Sequence, residues 1–135
     1  MVVPKKPILF LRIYFTALFF WFLTRFFNPH KILAFTQTKL GWFFGFSRDD
    51  YPRLLAYSDF VFQHLFFRRL KNYCLIHSMV LFCFLKPTDE NLKIVFGMAK
   101  INGEIKGHSW LESKNLPLIE KPKALVEYER IGEYV

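Results

Sequence analysis

The sequence predicts an α+β fold in which helices form the first part of the chain and antiparallel strands the last part. Before residue 86 the apolar segments are long and continuous, as in buried helices. Residues 92–113 instead contain two runs rich in apolar and β-branched residues around Asn102-Gly103, a dipeptide typical of tight β-hairpins. Helices and strands grouped into separate blocks are the pattern of an α+β domain.

Length and composition narrow the class of protein. A chain of 135 residues predicts one domain over 1–135, with a hydrophobic N-terminal helical region at 1–45. A net charge of +8 favours an acidic partner, namely a peptide, an anionic membrane surface or nucleic acid. Two cysteines and four dispersed histidines give neither a disulfide framework nor a zinc-site spacing, which predicts a cytoplasmic protein without a metal.

The strongest hydrophobic feature is the N-terminal segment PILFLRIYFTALFFWFLTRFF. Twelve uncharged residues lie between Arg12 and Arg25. They would form about 18 Å of helix, whereas the hydrocarbon core of a bilayer is about 30 Å thick. No small-x-small cleavage site follows, so a signal peptide fits poorly. We expect a helix that is buried in the domain or lies at a membrane surface, with a membrane anchor as the alternative.

Three further helices are expected before the strands. The first covers residues 30–40 and ends at Gly41, and the second begins near Pro52 and continues to about residue 70. The third follows Asn72, a favourable N-cap, and is apolar on nearly every side up to Leu85, which predicts a central, buried helix. In this helix Cys74 occupies the second position.

The position of Cys74 favours a reactive thiol. The positive end of a helix dipole and the free N–H groups of a first turn stabilise a thiolate, and the basic group Arg68, Arg69 and Lys71 lies just upstream. A small buried cysteine without chemistry is the alternative. Cys83, mid-helix and on the opposite side, is interpreted as structural. His77, on the same rigid helix as Cys74, is interpreted as non-catalytic.

The second candidate is His108, in the strand after the hairpin. A two-residue turn at Asn102-Gly103 places His108 opposite Gly97, and Trp110 opposite Val95. Because glycine has no side chain, open space is expected beside the imidazole. Glu112 falls opposite Lys93, which predicts a cross-strand ion pair. The other face of the hairpin is expected to cover the core with Leu92, Ile94, Phe96, Met98 and Leu111.

A histidine base needs an acid that fixes its tautomer. Glu112 is about 13 Å along the same strand, too far without a bend. A turn near Lys114-Asn115 brings position 120 or 121 level with His108, and position 120 is Glu120, which is therefore the predicted orienting acid. Glu127 and Glu129 are weaker candidates, in a last strand expected over 124–131.

Two motifs carry a family resemblance. The helix start CLIHS at 74–78, followed by VFGMAK and GHSWLE, resembles the stand-alone leader peptidase of lasso-peptide biosynthesis, the peptidase half of the split type. This family of transglutaminase-like cysteine proteases combines a CLxxS helix with a His-Ala-Trp-Val-Glu strand. The resemblance covers roughly residues 60–122. Gly107 and Ser109 stand where alanines usually flank the histidine, and Glu120 stands where aspartate is usual.

The resemblance implies a fold, a site and partners. It implies a papain/transglutaminase-like domain, with N-terminal helices before an antiparallel β-meander and a catalytic core at 50–122. Cys74 would be the nucleophile, His108 the base and Glu120 the acid, without a metal or other cofactor. The substrate would be a precursor peptide, and the partners a separate leader-binding protein and an ATP-dependent lasso cyclase. Nucleic acid is not expected as a partner. Contact of the N-terminal helix with a membrane surface stays an alternative to its burial in the domain.

Two other functions fit the same residues. The first is a different transglutaminase-like activity, acyl transfer or amide hydrolysis, at the same cysteine and histidine. The second is a non-enzymatic membrane-associated protein in which Cys74 is simply buried.

Overall fold

The computed structural model describes residues 7–39, 41–45, 48–65, 73–114, 116–117 and 128–134. The helices are α1 (Pro7–Leu23), α2 (Pro29–Lys39), α3 (Tyr51–His64) and α4 (Tyr73–Leu85). The strands are β1 (Leu92–Ile101), β2 (Glu104–Ser113), β3 (Leu116–Pro117) and β4 (Glu129–Tyr134). Helices precede an antiparallel sheet, so the predicted α+β class is confirmed.

Local sequence sets where two of the helices begin. Pro29 opens α2, and the Asn28 side-chain oxygen accepts a hydrogen bond from the His30 N–H at 2.8 Å, as an N-cap residue does. In α3 a proline again lies in the first turn, at Pro52, as the sequence predicts. Both prolines fit there because the first N–H groups of a helix have no intrahelical acceptor.

Helix α4 is the centre of the domain. Every residue from Ser78 to Leu85 is buried, and α4 packs against α1, α2, α3, β1 and β2. The predicted central, buried helix is therefore confirmed. A helix surrounded on all sides needs apolar residues on all sides, which explains why its sequence has almost no polar face.

The hairpin follows the predicted register. In β1 and β2, Gly97 pairs with His108, Val95 with Trp110, and Lys93 with Glu112. The turn residues Asn102 and Gly103 have φ values of 54° and 82°, the left-handed conformations that an Asn-Gly hairpin turn requires.

The sheet has the order β3-β2-β1-β4. The first three strands are consecutive neighbours, as in a meander, whereas β4 pairs with the free edge of β1. β4 begins at Glu129, so the strand predicted over 124–131 extends further towards the C-terminus, and residues 124–127 lie outside the described residues. Ile94 and Val95 in β1 are completely buried, Ile94 in the main core and Val95 against Trp110.

The face of the hairpin that covers the core is shorter than the sequence suggests. Leu92, Ile94 and Leu111 belong to the main core, and Phe96 packs against it. Met98, predicted to belong to this face, is 40% exposed. It lies towards the turn end of the hairpin, where residues 102–107 are all exposed, so the hairpin extends there beyond the helices that cover its base.

Helix α1 packs on α3 and α4 through one face, formed by Leu9, Ile13, Thr16, Ala17 and Phe20. Of the two predicted arrangements for the N-terminal run, the structure therefore has a helix of the domain with one buried face. None of the helices among the described residues combines the length and hydropathy of a membrane span.

Candidate active site

The first turn of α4 meets the outer edge of β2 at Cys74. The thiol of this half-buried residue is hydrogen-bonded to the side chain of His108 and to the backbone and side chain of Ser109. Two residues that are 34 positions apart in the sequence, and that were predicted separately as nucleophile and base, are thus in direct contact. This contact depends on how α4 packs against the hairpin.

Ser78 attaches α4 to β2 beside this contact. Its hydroxyl donates a hydrogen bond to the backbone carbonyl of Ser109 at 3.2 Å, and the two serine hydroxyls are 3.5 Å apart. Ser78 lies one turn after Cys74 and therefore on the same helix face. The serine of the CLxxS pattern accordingly fixes the position of the cysteine relative to the histidine strand.

The surroundings of Cys74 favour its thiolate. Burial alone would raise the pKa of this thiol, but hydrogen bonds from the His108 side chain and the Ser109 backbone, together with the charge of His108, outweigh burial. The pKa of Cys74 is therefore lowered from its ordinary value. By contrast, burial in the core raises the pKa of Cys83 far above its ordinary value, which keeps that thiol protonated.

Cys74 and His108 open into a cavity of about 340 Å³. Its lining combines both layers of the domain: Asp59, Gln63, Cys74, His77, Ser78, Leu81, His108, Ser109, Trp110 and Leu111. A cavity of this size can hold a short peptide segment or a small molecule next to the thiol.

Aromatic rings flank the His108 imidazole. The Trp110 ring lies nearly parallel to it, with centroids 5.8 Å apart, and the Tyr128 ring is 5.0 Å away. Tyr128 precedes β4, so the return of the chain to the edge of β1 brings this ring to the site. These contacts restrict the rotation of an imidazole that would otherwise be half exposed on a strand.

Trp110 is in turn held by a buried acid. Glu112 is 2% exposed, its Oε2 accepts a hydrogen bond from Trp110 Nε1 at 2.7 Å, and it forms an ion pair with Arg130 of β4. The prediction of a cross-strand ion pair between Glu112 and Lys93 is wrong. The Cα register is as predicted, but Lys93 forms an ion pair with Glu133 at 3.1 Å. The placement of β4 beside β1 supplies both new partners.

Gly97 is expected to be intolerant of any side chain. A Cβ at this position would lie 2.8 Å from the Trp110 ring and 3.1 Å from the Tyr128 Cβ, so the space predicted beside the imidazole is occupied by these residues. We expect Gly97→Ala to displace Trp110, lower the unfolding free energy by about 1–3 kcal/mol and slow alkylation of Cys74. Thermal unfolding and iodoacetamide labelling measure the two effects.

Gly107→Ala is the matched control for that substitution, on the neighbouring strand. A Cβ there would meet only the Gly97 carbonyl oxygen, at 4.0 Å. Its stability and labelling rate should match those of the wild type. If Gly97→Ala behaves like Gly107→Ala, tight packing around His108 does not influence the thiol.

His77, predicted to be non-catalytic, has contacts with the neighbouring helix α3. Its Nε2 is 3.2 Å from the Ser58 hydroxyl and 3.8 Å from Asp59, and its ring stacks on Phe62 with centroids 4.5 Å apart. These contacts direct it towards α3, although it also lines the cavity.

Several predicted residues lie outside the described residues. They are the acid Glu120, its alternative Glu127, the helix cap Asn72 and the basic group Arg68, Arg69 and Lys71. Glu129, the other alternative, is exposed at the start of β4 and pairs with Met98. Within the described part of the chain, no three His, Cys, Asp or Glu residues are grouped as metal ligands.

The sequence predicts no role at the site for Tyr128 or Arg130, and it includes Ser78 and Trp110 only as members of the two motifs. Ser78 could have been found, because a residue four positions after Cys74 lies on the same helix face. Alternation in β2 also places Trp110 on the His108 face. Tyr128 and Arg130 had no such signal, because only the non-local pairing of β4 brings them to the site.

Comparison with known protein families agrees with this geometry. The family described as the transglutaminase-like superfamily matches residues 33–133 of the 135. This match covers α3, α4 and the sheet, including Cys74 and His108. No curated protein and no solved structure matches the chain.

Proposed function

This chain belongs to the transglutaminase-like superfamily, and we propose that it is a cysteine peptidase that removes the leader from a lasso-peptide precursor. The observation that carries the proposal is the contact between Cys74, with its lowered pKa, and His108 at an open cavity. A thiolate next to an imidazole is the nucleophile and acid–base pair that acyl-transfer chemistry requires.

In the first half of the reaction Cys74 attacks. Its thiolate Sγ forms a bond to the carbonyl carbon at the leader–core junction, and the carbonyl oxygen becomes an oxyanion. N–H groups of the first turn of α4 have no intrahelical acceptor and can stabilise that charge. The His108 imidazolium then donates its proton to the amine nitrogen as the C–N bond breaks. The core peptide leaves and the leader stays as a thioester on Cys74.

In the second half water releases the leader. The neutral His108 imidazole accepts a proton from water as the water oxygen attacks the thioester carbonyl carbon. The C–S bond breaks, the leader leaves as a carboxylic acid, and the protonated imidazole again lies beside a thiolate. In this proposal Glu120 orients His108 and stabilises its charged form, as the third member of the triad.

The choice of substrate rests on the two motifs. CLIHS places Cys74 and Ser78 on one helix face, and GHSWLE places His108, Trp110 and Glu112 on one strand face, so both motifs resembling the leader peptidase have a structural role here. The leader would reach the site with a separate leader-binding protein. The new core amine would then be used by the ATP-dependent cyclase that closes the macrolactam.

The test is incubation of the purified protein with the precursor peptide encoded beside it, with and without the leader-binding protein. Mass spectrometry should show a leader and a core whose masses sum to that of the precursor plus one water. A leader joined to an added amine would instead indicate an acyl transferase. An unchanged precursor in the presence of all partners would contradict the proposal.

A further inference from the structure

The outward face of α1 has no polar side chain. The exposed residues of this helix are all apolar, and they are Pro7, Ile8, Leu11, Phe15, Phe19 and Phe22. Phe26, in the turn that follows, is also exposed, and its ring contacts that of Phe22 with centroids 5.4 Å apart. Large apolar side chains that remain this accessible in a folded domain usually mark an interaction surface.

These residues form a single stripe. The outer stripe consists of Ile8, Leu11, Phe15, Phe19, Phe22 and Phe26, which are 39% to 75% exposed. At 3.6 residues per turn, the five positions that lie in α1, from Ile8 to Phe22, fall within an arc of about 80°. From Ile8 to Phe22 the stripe is about 21 Å long. It is therefore continuous along the helix.

The one charged residue of α1 does not interrupt the stripe. The Arg12 guanidinium donates hydrogen bonds to the backbone carbonyls of Phe43 and, at 2.8 Å, Gly45. It also lies 5.3 Å from the centres of the Phe43 and Phe84 rings. Arg12 is therefore directed into the domain, and the apolar run that it divides in sequence is undivided on the surface.

The segment that carries the stripe has charged residues of one sign. Residues 1–48 contain seven Lys and Arg and no Asp or Glu, whereas the other 87 residues contain twelve and eleven. Nearly all of the net charge of +8 thus belongs to the segment that carries the stripe. Arg25, between the stripe residues Phe22 and Phe26, is exposed, and so are Lys31 and Lys39 further along the chain.

We propose that α1 is a membrane-surface helix that binds anionic lipid through the outer stripe. The aromatic side chains would enter the boundary between headgroups and acyl chains, while Arg25 and Lys31 contact lipid phosphates. Residues 1–48 contain no Asp or Glu, which suits binding to a negatively charged surface. Two copies of this positive segment would repel each other, which opposes dimerisation through the same face. The inference does not depend on the peptidase proposal.

The experiment is flotation of the full-length protein with lipid vesicles. Vesicles of phosphatidylcholine containing phosphatidylglycerol should carry the protein upward, and vesicles of phosphatidylcholine alone should carry far less. High salt should weaken the binding because it screens the cationic contribution. The double variant Phe15→Glu/Phe22→Glu should lose at least about tenfold in partitioning, since two large apolar contacts are replaced by charges.

Ile105→Glu is the matched control, because Ile105 is 70% exposed but lies on β2, away from α1. It should float like the wild type, and all three proteins should unfold at similar temperatures. Equal flotation of the double variant and the control would overturn the proposal. The proposal would also be overturned if the wild-type protein did not bind anionic vesicles, or if it formed a dimer and the double variant were monomeric.

Discussion

Cys74→Ala is expected to abolish peptide hydrolysis while leaving the fold intact. Without Sγ no thioester can form, so kcat/KM should fall by at least about 10⁴-fold. The residue is half-buried at the cavity and its truncation opens no cavity in the core, so the melting temperature should change little. Precursor cleavage and thermal unfolding measured on the same sample separate these two effects.

Cys83→Ala is the internal control for that result. Its thiol is buried in the core of α4 with a strongly raised pKa, so the substitution should cost about 1 kcal/mol of stability and leave kcat/KM nearly unchanged. Cleavage by Cys74→Ala at the wild-type rate would exclude Cys74 as the nucleophile.

The second large effect is expected at Glu120. If its carboxylate fixes the His108 tautomer and stabilises the imidazolium, Glu120→Gln should lower kcat/KM by about 10²- to 10⁴-fold at similar stability. Kinetics of precursor cleavage and the melting temperature are the two measurements. A Glu120→Gln variant with full activity would show that another group orients His108.

Glu112→Gln is to be compared with Glu120→Gln. The contacts of Glu112 in the structure alter the effect expected of this substitution. Because Glu112 is buried between Trp110 and Arg130, neutralising it removes an ion pair and weakens the support of a ring that stacks on His108. We expect a loss of about 1–3 kcal/mol of stability, larger than for a surface pair. Glu133→Gln, which removes the exposed partner of Lys93, should cost less than about 1 kcal/mol.

The outcome of the Glu112 variant distinguishes its two possible roles. If Glu112 supports Trp110, activity should fall in step with stability and recover at lower temperature. Inactivity at unchanged stability would instead make Glu112 the acid that acts on His108, and Glu120 would lose that assignment.

Much of the site could be predicted because it depends on local signals. The Asn-Gly turn fixes the hairpin register, which places Gly97 opposite His108 in both the prediction and the structure. The start of α4 near residue 73, predicted from the cap and the apolar run, places Cys74 in the first turn. Short-range chemistry determines both features, so no knowledge of distant contacts is needed.

The remaining features depend on contacts between distant parts of the chain. That β4 returns to the free edge of β1 cannot be read from its own residues, yet it supplies Arg130 to Glu112 and Tyr128 to His108. From the hairpin register alone, Glu112 is predicted to pair with Lys93 across the strands. Arg12 was likewise treated as an interruption of the apolar run, because only the fold shows that it is directed towards Phe43.

The contact between Cys74 and His108 is tested most directly by the pH dependence of Cys74 alkylation. Iodoacetamide labelling of Cys74 is followed by peptide mass mapping. Its rate should stay high at pH values at which an ordinary thiol is already protonated, because the pKa of Cys74 is lowered. In His108→Ala the pH profile of labelling should move to higher pH, because burial still raises the pKa of Cys74 while the imidazole that lowers it is gone. The contact would be contradicted if wild-type Cys74 titrated like an ordinary thiol. It would also be contradicted if folded His108→Ala kept the wild-type pH profile.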